Sequence, residues 1–391
     1  MALKIEKSKD KVAIIVVGYN RMDGLKRLLN SVVNANYPDT NIPLVISIDC
    51  SNNTDVYNFA RNFQWPHGPL YVNIQKERLG LKNHIFQCGD LTEYFKGVIL
   101  LEDDIYVSPD FYNYTLAAIE KYCDEEKIAG ISLYNEERNG YIGLPFQPLN
   151  NGYDVYAWQT ISSWGEAWTD TMWGNFRKWL LEWDEDFDSI PMPSVIKTWS
   201  KAWSKYYYAY IISNDLYYLF PYCSLSTNFN DVGGENGGGG SLVQVSLQNG
   251  CRDYNMPDFT ELVKYDVFQQ NIELYEALNL SRKELCLDLY GKTYSDIRQK
   301  KRFILSINRY DYPILKSFAL ALRPIELNVI RQIEGKGIYL YDTCNANNKS
   351  QIGSYTNEST GYFLQGFNVK RMARYVMRYY WCAIKRKLYI K

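Results

Sequence analysis

The sequence predicts an α/β fold, with a mostly parallel sheet flanked by helices and a mainly helical C-terminal extension. Three observations carry that expectation. Between Val12 and Leu133, short aliphatic runs alternate with segments whose apolar residues recur at helical spacing, the texture of parallel strands joined by helices. The run Val98 to Leu101 is apolar throughout instead of alternating, as a strand covered on both faces must be. From about residue 257 the chain turns to Leu-, Tyr- and Lys-rich patterns of helical period, including 258–278 and 281–289.

Taken in order, Val12 to Val17 is a buried strand broken at Gly18, and Arg21 to Val33 is a helix with Leu25, Leu28, Leu29 and Val32 on one face. Leu44 to Ile48 is the second strand, ending at Asp49, and 53–63 is a helix that Asn53 or Thr54 can cap. Leu70 to Ile74 is the third strand and 80–95 a further helix. Val98 to Leu101 is the fourth strand, and Glu102, Asp103 and Asp104 arrive where it should end. Ser108-Pro109 then starts a helix over 111–123, and 128–133 is another strand. Tyr153 to Trp203 holds eight of the ten tryptophans. Asn230 to Gly240 is so rich in glycine that it reads either as a mobile active-site loop or as a linker.

Composition narrows the function classes. The 35 Tyr and 10 Trp lift the aromatic share to 16%, and such rings suit sugars and nucleobases as well as they suit a core. A net charge of −1 excludes a general polyanion binder, so no nucleic-acid partner is expected. The sum hides an asymmetry: no acid follows Glu358, whereas Lys370, Arg371, Arg374, Arg378, Lys385, Arg386, Lys387 and Lys391 are basic and interleaved with aromatic and aliphatic residues. A basic aromatic helix within 362–391 fits an anionic membrane surface, or equally a helix docked on its own domain with a solvated basic face. Eight cysteines without a C-x-x-C pair, and only two histidines, argue against zinc and for free thiols in a reducing compartment. Without an apolar leader or a run of about eighteen apolar residues, the expected location is cytoplasmic, peripheral on the inner face of the cell membrane if the tail engages it.

The acidic triplet is the most informative stretch. In open α/β sheets ligands bind beyond the carboxyl ends of strands. Adjacent carboxylates there repel unless a cation sits among them, and hard oxygen donors suit Mn²⁺ or Mg²⁺. An exposed acidic strand-to-helix turn is the bland alternative. Two neighbouring strand ends, Gly18-Tyr19-Asn20-Arg21 and Asp49-Cys50-Ser51, should line the same edge.

With Ile46-Ser47-Ile48-Asp49-Cys50 and Pro109-Asp110-Phe111, these ends resemble a GT-A glycosyltransferase of the β-1,2-N-acetylglucosaminyltransferase I type and its bacterial family-2-like relatives, over roughly residues 10–240. The resemblance implies a Rossmann-like GT-A domain at 1–250, with 251–391 as the extension. It implies that Asp104 binds the metal directly and that Glu102 and Asp103 hold ribose or metal-bound water. It also places Gly18, Asn20 and Arg21 near the nucleotide and Asp49 at uracil. For Arg21 a helix-start ion pair, and for Asp49 a turn or cap role, remain open. Lys82-Asn83-His84 lies where the family approaches the nucleotide, although a polar helix surface explains it as well. Thr227-Asn228-Phe229-Asn230 and the glycines fall where the family has a loop that orders over the donor.

An inverting transferase needs a carboxylate to deprotonate the acceptor hydroxyl. The family's base lies in a Trp-acid-acid-Trp context, and the nearest stretch here, Trp199 to Trp203, contains no acid. Trp164-Gly165-Glu166-Ala167-Trp168 resembles a Trp-Gly segment of the bacterial relatives and sets Glu166 between rings that would raise its pKa. Glu166 and then Asp170 are the expected catalytic residues, with Asp231 and Glu235 behind them. The expectation is a metal-dependent, inverting hexosyl- or N-acetylhexosaminyltransferase. It would use a UDP-linked donor and a glycan or lipid-linked glycan acceptor in bacterial capsule or lipopolysaccharide synthesis. A catalytically degenerate GT-A binding module and a sugar-nucleotide nucleotidyltransferase are the alternatives.

Overall fold

The computed structural model describes residues 5–140, 143–200, 202–231, 243–291, 301–345, 357–364 and 368–389. It divides into two compact units, 1–137 with 148–272, and 138–147 with 273–391. The first unit begins with β1 (Ser8–Gly18), α1 (Met22–Val33), β2 (Leu44–Ile48), α2 (Thr54–Asn62), β3 (Leu70–Ile74), α3 (Gly80–Gly89) and β4 (Phe95–Glu102). It continues with β5 (Ile105–Val107), α4 (Phe111–Tyr122), β6 (Ile128–Ser132), β7 (Val155–Trp158), β8 (Glu166–Thr169) and α5 (Asp170–Glu182). After α6 (Ser194–Lys197) and α7 (Ser204–Ser213) come β9 (Tyr217–Pro221), β10 (Ser226–Asn228) and β11 (Lys264–Tyr265).

Nine of these strands form one sheet in the order β11-β7-β9-β6-β8-β4-β1-β2-β3. The half predicted from the sequence, β3-β2-β1-β4, is parallel throughout; the aliphatic runs of β1, β2 and β4 are buried on both faces, whereas β3, at the end of the sheet, is half-buried along its length. Leu25, Leu28, Leu29 and Val32 are the buried face of α1, and the Asn53 side chain caps α2 by accepting from the Val56 N–H at 3.3 Å. The strand β8 was not predicted. It inserts antiparallel between β4 and β6, and a four-residue strand containing a buried acid carries no period that separates it from a loop. The tryptophan-rich middle is core: Trp168, Trp173 and Trp203 are among the largest fully buried side chains, and the Trp168 and Trp173 rings lie 4.7 Å apart.

The expected helix over 258–278 is instead a single 3₁₀ turn at Phe259–Glu261, then β11, then α8 (Glu273–Ala277). Asp258 and Glu261 form a capping box, but the helix behind it is one turn long. Because β11 pairs with β7, the first unit extends to Ile272, past the expected boundary at residue 250.

The second unit holds helices and, unpredicted, a four-stranded sheet. Its strands are β12 (Leu285–Asp288), β13 (Phe303–Ser306), β14 (Ile314–Phe318) and β15 (Ile338–Asp342), in the order β12-β13-β15-β14. Its further helices are α9 (Leu327–Ile330), α10 (Asn357–Phe363) and the 21-residue α11 (Val369–Tyr389). The expected helix over 281–289 contains β12, whose four residues are all buried; runs this short read alike as buried helix or buried strand. Cys286, Ile304, Tyr310, Tyr339 and Tyr341 pack as its core. All eight cysteines are free. Among the described residues no helix is long and apolar enough to cross a membrane.

Candidate functional site

Because β1 to β4 run in parallel, their carboxyl ends share one edge, with Gly18 opposite Ile48, Ile48 opposite Ile74, and Val17 opposite Glu102. Arg21 holds the N-cap position of α1 at that edge. Its guanidinium reaches the acidic turn, bonding Asp103 through Nη2 and lying 3.4 Å from Asp104 Oδ2 through Nη1. Arg21 therefore does make a helix-start ion pair, and its partners are the acids of the turn across the edge. Asp103 is 4% exposed, and burial pushes its pKa up to about 6 despite the opposing pull of Arg21. The Tyr19 backbone N–H also donates to it. Gly24, in the first turn of α1, permits this contact: a Cβ there would lie 2.4 Å from the Asp103 carbonyl oxygen.

Asp49 is buried beside this turn and works as a cap. Its Oδ1 accepts from the backbone N–H groups of Cys50 at 2.8 Å and Leu79 at 2.9 Å, and its Oδ2 from Gly80 at 3.0 Å. It therefore anchors the start of α3 to the end of β2. Asn20 joins the same edge through its carbonyl, which accepts from Asn53 Nδ2 at 3.3 Å. Lys82, in the first turn of α3, donates to the Tyr206 hydroxyl at 3.2 Å and lies over that ring. His84 is buried against Ser47 Oγ at 2.7 Å, and burial lowers its pKa to about 4, which makes it a neutral packing residue. One further group at this edge escaped sequence reasoning: Arg78 stacks over the Tyr19 ring at 4.8 Å. A lone Arg in a polar stretch gives no signal of such a contact.

The two expected catalytic acids fare differently. Glu166 opens β8 at the carboxyl edge, opposite Leu100 and Ser132, on the sheet face that Glu102 shares by alternation. It is 0% exposed and neither carboxylate oxygen has a hydrogen-bond partner. Burial, and then the Glu102 charge, raise its pKa well above the usual range. An acid sealed from solvent has no access to the acceptor hydroxyl that a general base must deprotonate. Asp170 follows Thr169, which pairs with Gly97 near the start of β4. It therefore lies at the opposite edge of the sheet, ion-paired with Lys9 at 2.6 Å. The structure does not bring it to the acidic turn.

Over the acidic turn lies an antiparallel ribbon of β5 and β10, and the Asp104 carbonyl accepts from the Phe229 N–H at 2.9 Å. Arg27 stacks on the Phe229 ring at 3.8 Å and pairs with Asp231, fixing the chain as it leaves the ribbon. The glycine-rich loop and Glu235 lie outside the described residues. Gly165, at φ +96°, turns the chain into β8, and the half-buried Trp164 beside it meets the Tyr134 ring at 4.6 Å.

Among the described residues no group of three or more His, Cys, Asp or Glu side chains gathers as a metal cage. Mg²⁺-like ions bound with substrate phosphates need only one or two protein carboxylates. Asp104, its side chain 19% exposed and 3.4 Å from Arg21, and the half-buried Glu102 carry such hard oxygens, and Asp103 is ion-paired with Arg21 more closely. The donor set fits Mn²⁺ or Mg²⁺.

No family model matches the chain, and no curated protein matches it by sequence. Among solved structures it is similar to S. aureus TarS residues 1–349, at 17% identity and a TM-score of 0.34, over 54% of this chain and 60% of that one. The same fragment in complex with UDP-GlcNAc matches with the same identity and TM-score, over 54% of this chain and 58% of that one. The mannosyltransferase PcManGT from Pyrobaculum calidifontis, in complex with GDP-Man and Mn²⁺, matches at 13% identity and a TM-score of 0.30, over 46% of this chain and 50% of that one. The chain thus spans about three-fifths of the TarS fragment.

Proposed function

We propose that this chain is a glycosyltransferase that moves a hexosyl or N-acetylhexosaminyl group from a UDP-linked donor to a glycan or lipid-linked glycan acceptor, with inversion, in bacterial surface polysaccharide synthesis. One observation carries the reading: the gathering at a single sheet edge of Gly18, Asn20, Arg21, Asp49, Lys82 and the Glu102-Asp103-Asp104 turn. Asp104, with Glu102 beside it, would hold Mn²⁺ or Mg²⁺, which when bound supplies positive charge to a departing pyrophosphate. Arg21 contributes a fixed cation to the same turn, and Asp103 holds that cation in place. Asp49, by anchoring the start of α3, sets the wall on which a nucleobase would rest. Glu166 and Asp170 are set aside as acceptor bases on the grounds of burial and position given above.

A second reading, the degenerate GT-A binding module, is favoured by the sealing of Glu166 and the remoteness of Asp170. UDP release from a panel of UDP-sugars, with and without Mn²⁺, separates the two. The transferase reading expects metal-dependent hydrolysis or transfer, reduced at least about 100-fold in Asp104→Ala. Binding of UDP without any metal-dependent turnover would leave the module reading in its place.

A further inference from the structure

In the C-terminal unit, α11 carries apolar side chains in the open. Val376, Met377, Tyr379, Tyr380 and Ile384 are exposed, from 50% for Val376 and Ile384 to 72% for Tyr379. Met372, Val376, Tyr380 and Ile384 fall on one line at i, i+4 spacing, with Met377 and Tyr379 beside them. Lys370, Arg374, Arg378 and Lys385 fall on another face. The helix contains seven Lys or Arg residues and no acid. At 21 residues it is about 32 Å long, but that charge excludes it from spanning a bilayer.

Charge decides what such a face can meet. A second copy of the helix would set seven cations against seven, and a neutral apolar partner would leave the basic face without a counterpart. An anionic phospholipid surface satisfies both faces at once. Acyl chains at the interface accept the aliphatic residues, tyrosine rings sit at headgroup level, and phosphates meet the Lys and Arg side chains. We propose that α11 is an in-plane anchor that holds this protein on an anionic phospholipid membrane, its apolar line in the acyl boundary and its basic face at the phosphates.

The test uses the full chain and vesicles of phosphatidylcholine with or without an equal part of phosphatidylglycerol, read by vesicle sedimentation. Binding is expected to the anionic vesicles, weak to the neutral ones, and to fall as salt rises. The Arg374→Glu/Arg378→Glu/Lys385→Glu variant should bind at least about 100-fold more weakly. Val376→Ser/Tyr380→Ser/Ile384→Ser should bind at least about tenfold more weakly with its charge intact. Both variants alter only exposed side chains, and an unchanged melting curve confirms that they fold. Failure of the unaltered chain to bind anionic vesicles, or either variant binding as it does, overturns the proposal. So does a lipid-free dimer that the apolar variant dissociates, which would assign the face to a second copy. No donor sugar enters this assay, so its failure and that of the transferase reading are distinguishable.

Discussion

Replacing Glu166 by Gln tests the most unusual group in the site. The native carboxyl is fully buried, has no hydrogen-bond partner for either oxygen, and faces the Glu102 charge. Burial raises its pKa far above the ordinary value of 4.5, so the folded chain keeps the proton while the unfolded chain releases it near pH 4.5. The folded state then binds the extra proton, and stability must fall as pH rises through the window between those two pKa values. The contribution is fully present below about pH 4.5 and is lost at about 1.4 kcal/mol per pH unit until the native group ionises. Glutamine is neutral in both states and carries no such slope. Relative to Glu166→Gln, the unaltered chain should therefore lose stability as pH rises from 5 to 7, by at most about 1.4 kcal/mol per pH unit. The amide leaves its own buried donor unpaired, a pH-independent offset of about 1–3 kcal/mol that does not affect the slope. Urea unfolding at pH 5, 6 and 7, followed by tryptophan emission, reads the right unit, since nine of the ten tryptophans lie in it. A gap between the two proteins that does not change with pH would refute the sealed, protonated Glu166. In the transfer assay the variant should retain activity within a few-fold, whereas removal of a true base costs about 10²–10⁴-fold.

Two further substitutions probe the acidic turn. Arg21→Ala leaves Asp103 buried without its cation and should cost about 3–5 kcal/mol at pH 8. With Asp103 at about 6 and rising further without Arg21, the loss should shrink at pH 5, where the acid is protonated. An equal loss at both pH values in urea unfolding would show that the pair is not what stabilises the turn. Gly24→Ala would stabilise an ordinary helix by about 1 kcal/mol. Here its Cβ meets the backbone oxygen of Asp103 at 2.4 Å, so melting should instead show a net destabilisation of about 1–3 kcal/mol, and a raised melting temperature would contradict that packing.

The parallel half of the sheet was legible because β1 and β4 are apolar along their whole buried length and β2 is interrupted only by Ser47, the pattern of strands covered on both faces. Short elements were not. β8 spells Glu-Ala-Trp-Thr and β12 spells Leu-Cys-Leu-Asp, and four residues contain too few periods to separate strand from helix or loop. Tertiary pairing, with β4 and β6 on either side of β8 and with β13 beside β12, decides them.

The site was legible in its parts and not in its pairings. Strand-end logic located Arg21, Asp49 and the acidic triplet at one edge, but it could not see that Arg21 lies between Asp103 and Asp104. Sequence reasoning had reserved that place for a metal alone. With a fixed guanidinium there, Asp103 and Asp104 are both partly neutralised before any ion arrives. Glu166 turns on the same distinction. Its pKa is raised, but by burial complete enough to exclude the acceptor whose proton a base must take, and then by the Glu102 charge. A raised pKa marks a base only when the group causing it leaves a path to the substrate, and a path is a property of packing that residue order does not encode.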